Sequence, residues 1–258
     1  RVRGPLTFRL LKPQEYPAWD DLAAPRLGTL AQLTWWVSPL QLYGVEFDVV
    51  GCWRGDALVG GALIRTLKVP GIPWSVGVCF TGPLLDGLDD STVDGFLQTV
   101  RHVARRRRAV EISFRSNPDA GVHQALVSGL RRQEARGVLT PEPAQAIVDV
   151  AGRSVHEVAA AFRRDARASL RKGQAAPTEV RAALTEAEVR GAYGAFASSA
   201  ERKGFDDLRP WAALGPAITE CLDRDLGAVY VTVSDETVVA AIFVSFVGSE
   251  AEYLHGGF

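Results

Sequence analysis

One order of elements occurs twice along this chain, and it limits the fold more than any single motif does. A strand, "LTFRLLK", is followed by two helical stretches, "QEYPAWDDLAA" and "TLAQLTWWVSPLQLYG", and then by a hairpin, "VEFDVVGCW" and "ALVGGALIRTLK", turning at Arg54-Gly55-Asp56. β-branched and aromatic runs bounded by Gly and Asp carry the strand readings, while Pro13 suits a first helical turn and Gly44 a helix end. From Thr178 the order begins again: strand "TEVRAAL", helices "EAEVRGAYGAFASSAERKG" and "PWAALGPAITECLDRD", then strands "AVYVTVSD", "TVVAAIFVSFV" and "AEYLHGG". The repeat is one of element order, with no evident residue identity between the halves.

The first half continues where the second does not. "SVGVCFTGPLL" is a strand stopped by Gly82-Pro83, and "STVDGFLQTVRHVARRRR" a helix with Ser91 as its N-cap and a basic last turn that suits its dipole. Strand "AVEISFRS", helix "AGVHQALVSGLRRQEARG" and strand "AQAIVDV" complete the unit. A long helix, "SVHEVAAAFRRDARASLRKG", capped by Ser154 and closed by Gly173, joins the halves. The expected class is α/β (α+β) with two tandem domains, 1–151 and 152–258, the second cut short after Phe258 before a further helix and strands.

Composition sets outer limits. A chain of 258 residues with 47% hydrophobic content suits one large or two ordinary domains. Its net charge of -1 leaves no general affinity for DNA, so any nucleic-acid contact must come from local patches such as "RHVARRRR" and "FRRDARASLRK". Cys52, Cys79 and Cys221 form no CxxC pair, which argues against a disulfide scaffold or a zinc ribbon and gives no metal site. They read as buried thiols of a reducing compartment. No run approaches the roughly 18 apolar residues of a spanning helix and no signal-peptide pattern opens the chain, so a cytoplasmic protein with at most peripheral membrane contact is expected. The absence of Met, position 1 included, reads as a trimmed or partial chain.

Two tandem strand-helix-helix-hairpin units resemble a doubled GNAT acyltransferase fold, and the doubled form resembles the FemABX family of aminoacyl-tRNA-dependent transferases. "AQLTWWVSPLQLYGVEFDVVGCWRGDALVGGALI" is similar to that family's opening helix and hairpin, "FTGPLLD" to its Gly-Pro strand end, and "VEISFRSNP" to the strand beside its first-domain substrate groove. "IVDVAGRSVHEVAAAFRRDARASLRKG" resembles the strand and basic helix that join the domains, and "SSAERKGF" and "AEYLHGGF" resemble segments near the acceptor. The resemblance implies an aminoacyl-tRNA donor and an amine acceptor, a peptidoglycan precursor or a peptidyl natural product. Leu40 stands where the family often has a phosphate-gripping Lys, Asn117 where an Asp is expected, and Tyr253 with His255 where paired tyrosines sometimes occur. These departures bear on the acceptor more than on the reaction.

An aminoacyl ester is already activated, so its transfer to an amine needs chiefly proximity, a deprotonated nucleophile and support for the oxyanion; orientation alone can lower the barrier by roughly 7–11 kcal/mol. No HExxH, GxSxG or Walker loop is present, and none is required. His255 and Tyr253 are the catalytic candidates, read onto opposite strand faces unless Gly256-Gly257 distort the strand. The resemblance places them around one groove with Asn117 and Arg202 as substrate-binding residues; of the neighbouring tryptophans 35 and 36, which cannot both face one side of a helix, Trp36 is read as the one that lines a groove. The plainer readings are a strand histidine bonded to a backbone carbonyl, a dipole-complementing Arg202, and tryptophans 35 and 36 in the core. Arg163, Arg164, Arg167, Arg171 and Lys172 form a stripe that suits tRNA phosphates or, more plainly, a solvated helix face. No bound cofactor is expected beyond the aminoacyl-tRNA. The rival enzyme would use acetyl-CoA, whose pyrophosphate needs a helix N-terminus; the junction "FTGPLLDGLDDSTVD" is a poor one. A non-catalytic binding module of the same fold is the third reading.

Overall fold

The computed structural model describes residues 5–115, 121–133, 148–175, 178–205 and 208–258. In chain order the first half holds β1 (Leu6–Leu10), α1 (Tyr16–Leu27), α2 (Thr34–Val37), β2 (Val45–Arg54), β3 (Ala57–Lys68), β4 (Ser75–Phe80), α3 (Asp90–Arg107), β5 (Ala109–Arg115) and α4 (Val122–Arg132). The second half holds α5 (Val155–Ala160), α6 (Arg164–Gln174), β6 (Glu179–Ala182), α7 (Glu186–Lys203), α8 (Trp211–Asp223), β7 (Gly227–Ser234), β8 (Thr237–Val247) and β9 (Glu250–Gly257). Among the described residues, β1 to β5 form one sheet in chain order and β6 to β9 another. Neighbours are antiparallel except β4 and β5, which run parallel because α3 crosses between them. The α/β class and the doubled element order are as the sequence indicates.

The two sheets share a core. One cluster of buried side chains takes Trp19, Leu33, Trp36, Val49 and Leu63 from the first half and Phe196, Leu214, Ile218, Val231 and Phe243 from the second. Helices α1, α2, α7 and α8 therefore bury their apolar faces in common. The opposite side of the first sheet is closed separately by α3 and α4, with Phe96, Val100, Val103 and Leu126 packed on Val50, Ala62, Ile64 and Cys79. Of the three thiols, all are buried and unpaired.

Several local expectations are corrected. "TLAQLTWWVSPLQLYG" is not one helix: 3-10 turns at Leu30–Gln32 and Ser38–Tyr43 flank the four-residue α2. Extended backbone at Leu33 breaks the run, and the Asp20 carboxylate restarts it by accepting the Thr34 N–H at 2.7 Å and its hydroxyl at 2.6 Å. Pro39, which has no N–H to donate, then keeps the last turns in the tighter form. Gly44 closes the segment at φ 78°, as expected. The joining helix is two helices: Ser154 caps α5 in a capping box with Glu157, but residues 161–163 interrupt it and Gly173 lies inside α6. Of the strand "AQAIVDV", residues 144–147 lie outside the described residues and 148–150 form no strand.

The cap of α3 is Asp89, not Ser91. Its carboxylate accepts the Thr92 N–H at 3.0 Å and the hydroxyls of Ser91 at 2.6 Å and Thr92 at 2.7 Å, and these bonds hold its pKa down at about 2. Because the folded pKa is depressed, the cap's contribution is full above the ordinary carboxylate range and is lost as pH falls from about 4 toward about 2. Asp89→Ala is expected to cost about 1 kcal/mol at pH 7 and almost nothing at pH 2. Urea unfolding of both proteins at the two pH values checks this.

Candidate functional site

The second sheet ends in β9, where the sequence placed its catalytic candidates. Residues two apart in a regular strand share a face, so alternation alone would put Tyr253 and His255 together. The β8–β9 register instead shifts between Phe243 and Val244: Phe243 pairs with His255 and Val244 with Tyr253, leaving Leu254 as the extra residue of a bulge. The two side chains consequently face opposite ways, as expected, but for this reason. His255 joins Phe243 on the core side, half-buried, its ring 5.8 Å from that of Phe196 in α7. Tyr253 is exposed on the other side, over an open depression of ≈ 290 Å³ lined also by Val180, Tyr230, Ile242, Lys203 and Phe258.

Gly256 and Gly257 divide between those faces. A Cβ on Gly257 would lie 2.1 Å from the Ala195 carbonyl oxygen, so α7 rests on the bare backbone of β9. A Cβ on Gly256 would meet only the Tyr253 hydroxyl and the adjoining edge of its ring, the far end of an exposed side chain that can swing away. Gly257→Ala is expected to cost about 1–3 kcal/mol by forcing helix and strand apart, and Gly256→Ala less than about 1 kcal/mol. Equal losses in urea melts of the pair would contradict this packing.

The other candidates that the structure describes lie on separate elements. Arg202 stands at the end of α7, its guanidinium 4.6 Å from the Phe258 ring and donating to the Phe258 carbonyl, so it belongs to the rim of the Tyr253 depression. Trp36 is 3% exposed and packs on Phe243 at 5.9 Å, in the core position of the plainer reading. Asn117 lies outside the described residues. The cations of α6 are all exposed. Leu40, in the place of the family's Lys, is buried.

What the sequence reading passed over is a cluster of arginines where the halves meet. Arg65 on β3, Phe80 on β4 and Arg115 on β5 share one face of the first sheet, through the pairings Arg65–Val78 and Phe80–Arg115. Both guanidiniums lie 5.0 Å from the Phe80 ring. From the second half Arg209, half-buried just before α8, stacks 5.3 Å from the Trp36 ring. Arg65 is 9% exposed; it donates to the Ala31 carbonyl at 2.7 Å, and its Nε is buried without a partner. Burial, and then the charge of Arg209, pull its pKa down to about 9, so it stays cationic at neutral pH. Burial also lowers Arg209. Among the described residues no carboxylate pairs with Arg65, Arg115 or Arg209.

A buried cation without a counterion is costly, and a second one beside it more so. Arg107 shows the usual solution, with Glu46 and Asp48 both bonded to it. With no carboxylate paired to it among the described residues, the cluster has the character of a cradle for an anion, with Phe80 as an apolar wall, buried Arg65 and half-buried Arg209 as donors from the two halves, and exposed Arg115 at its edge. Guanidiniums match carboxylate and phosphate oxygens in pairs. The sequence signal was available: Arg65 is a cation amid the apolar residues of the strand "ALVGGALIRTLK", whose other cation, Lys68, stands at its end. Among the described residues no group of three His, Cys, Asp or Glu is placed to hold a metal, and no helix is long and apolar enough to cross a membrane.

Residues 160–258 match the family model described as "Acetyltransferase (GNAT) domain". Among solved structures, FemX superposes on 97% of this chain and 80% of its own with a TM-score of 0.73 and 14% identity. The chain thus has the FemX fold, as the resemblance implied. A ribosomal-protein-alanine N-acetyltransferase from Brucella melitensis biovar Abortus 2308 covers 55% of this chain and 99% of its own, with a TM-score of 0.39 and 13% identity. A probable acetyltransferase covers 55% of this chain and 98% of its own, with a TM-score of 0.37 and 13% identity. A search of curated proteins gives no match.

Proposed function

We propose that this protein is an acyltransferase of the GNAT type that moves an aminoacyl group from aminoacyl-tRNA to the amine of an acceptor bearing a phosphate or carboxylate. The family model and the FemX fold support acyl transfer. The observation that carries the acceptor is the cluster of Arg65, Arg115 and Arg209, which no carboxylate among the described residues pairs. In the reaction the amine nitrogen attacks the ester carbonyl; the C–N bond forms, the C–O bond to the ribose breaks, and the released hydroxyl takes up a proton that the amine gives up. With the acceptor's anion held by guanidiniums from both halves, the contribution of the protein is chiefly orientation.

A peptidoglycan precursor and a peptidyl natural product both belong to this acceptor class. With Leu40 where the resemblance would put a phosphate-gripping Lys, one cation for the acceptor is missing, but Arg65 and Arg209 offer cations that compensate for it. A phosphorylated acceptor is therefore favoured. Acetyl-CoA remains the rival donor, by the description of the matching family model. Against it in the first half, the N-terminus of α3 is already filled by the Asp89 carboxylate.

The test is calorimetric titration of a nucleoside-diphosphate-linked peptide with a free amine against its dephosphorylated form. The phosphorylated form is expected to bind at least about 10-fold more tightly, and Arg209→Gln to remove most of that difference. Equal affinity for the two forms would overturn the assignment of the cluster.

A further inference from the structure

The end of the first sheet where β3 turns into β4 belongs to no site described so far. The loop between the two strands reads "VPGIPW", and Ile72 and Trp74 in it are 45% and 52% exposed. Leu67 and Val76 pair across the hairpin just below, so they share a face, and both are exposed. Exposed Leu42 and Tyr43 adjoin them, because they precede Val45, the partner of Leu67 in β2. A single exposed apolar side chain needs no explanation, but a gathering of them at one end of a sheet marks a contact surface. The loop is also suited to leaving water. Pro70 and Pro73 have no N–H, and those of Val69 and Ile72 are already bonded inside it, to the Trp74 carbonyl at 2.9 Å and the Val69 carbonyl at 3.3 Å. Few backbone donors would therefore be stranded if the tip were desolvated.

Cations flank the tip. Ser75, next to Trp74, donates its hydroxyl to the Arg107 carbonyl at 2.8 Å and its N–H to the Arg108 carbonyl at 3.0 Å, which holds the basic end of α3 against the hairpin. Lys68 pairs with Ser75 from β3. Lys68, Arg105 and Arg108 are exposed and make no ion pair among the described residues. Of the acids on these strands, Glu46 and Asp48 are bonded to Arg107, and Glu111, opposite Val76, accepts the Ser113 hydroxyl at 2.7 Å. The dipole of α3 accounts for cations in its last turn, but neither for Lys68 nor for the apolar side chains beside them.

The two features together select the partner. A nucleic-acid backbone would use the cations and leave the apolar tip in water. A second copy of the tip would bury the apolar groups but bring like charges together. An anionic lipid surface uses both, with cations at its phosphates and apolar side chains below them, and a tryptophan suits the boundary because its ring is apolar and its indole N–H can reach the polar layer. We propose that the β3–β4 tip is a peripheral docking surface for anionic phospholipid, with Ile72 and Trp74 entering the headgroup boundary and Lys68, Arg105 and Arg108 lying against the phosphates. The contact is reversible, and salt weakens its electrostatic part.

The experiment is flotation of the full chain with vesicles of phosphatidylglycerol and phosphatidylcholine in equal parts, and with vesicles of phosphatidylcholine alone, at low and high salt. The parent is compared with an apolar-tip variant, Ile72→Ser with Trp74→Ser, and a charge variant, Lys68→Gln with Arg105→Gln and Arg108→Gln. These side chains are all exposed, so both variants are expected to fold as the parent does, which circular dichroism verifies. The parent is expected to bind the anionic vesicles at least about 10-fold more tightly than the neutral ones, and each variant to lose at least about 10-fold. The residual binding of the apolar-tip variant should still fall with salt, and that of the charge variant should hardly change with it. No binding of the parent to anionic vesicles overturns the proposal, and so does binding that either variant leaves unchanged. Uncharged tRNA bound by the parent and lost in the charge variant, without vesicle binding, overturns it in favour of a nucleic acid. Self-association at sedimentation equilibrium that the apolar-tip variant loses, again without vesicle binding, overturns it in favour of a second copy.

Discussion

Arg65→Met is expected to lower kcat/KM for a phosphorylated acceptor by about 100-fold while moving the melting temperature by only a few degrees. The activity loss follows from hydrogen bonding to a charged group, about 1.5–3 kcal/mol, and a factor of 100 is about 2.7 kcal/mol. The small stability change follows from opposing terms. The variant loses the bond from Arg65 to the Ala31 carbonyl, about 1 kcal/mol. It also removes a cation that is buried beside Arg209 with an unpartnered Nε, and Met fills much of the same volume with an apolar chain. Since Arg65 is proposed to hold the acceptor and not to take part in bond making, KM should rise and kcat should largely survive. An unchanged KM would remove Arg65 from the site. Loss of the fold would show instead that the guanidinium is structural.

Trp36→Ala should be among the most destabilising single changes in the chain, by about 3–5 kcal/mol. Trp36 lies on α2 in the first half, yet its ring packs on Phe243 of β8 in the second and carries the Arg209 guanidinium on its face. Removing it leaves a cavity in the core that both halves share. The loss should therefore appear in both halves at once, as one cooperative transition at lower denaturant. Hydrogen exchange measured along the chain with urea melts checks this. A loss under about 1 kcal/mol, or faster exchange confined to the first half, would contradict the shared core. Trp36→Phe, which keeps an apolar ring there, should recover a substantial part of the stability; a substrate-binding tryptophan would instead show its loss in KM at unchanged stability.

The legible part of the fold is what depends on local pattern. The β2–β3 hairpin, the β7–β8 hairpin and α7 carry regular apolar periodicity and clear ends, with Gly44 and Gly204 in left-handed conformation where helical segments stop. The boundaries that failed turn on side chains reaching across the chain. Asp20 starts α2 from 14 residues away, and Asp89 takes the cap from Ser91 because its carboxylate can accept from both hydroxyls and a backbone N–H. Neither is visible in hydrophobic periodicity.

The site was less legible for the same reason. That Tyr253 and His255 part company depends on a bulge at Leu254, and a bulge is set by pairing with β8 and not by β9 alone. Arg65, Arg115 and Arg209 come from β3, β5 and the approach to α8, so nothing in their spacing links them. Arg65 alone announced itself, as a cation amid apolar strand residues. The stripe on α6 was readable because it lies within one helix.

The most direct test of the central claim is transfer from a pool of labelled aminoacyl-tRNAs to a nucleotide-linked peptide amine, run beside labelled acetyl-CoA. The account predicts a new amide whose formation is abolished by prior RNase treatment and is weakened by Arg65→Met through KM. Label entering the amide from acetyl-CoA alone would contradict it.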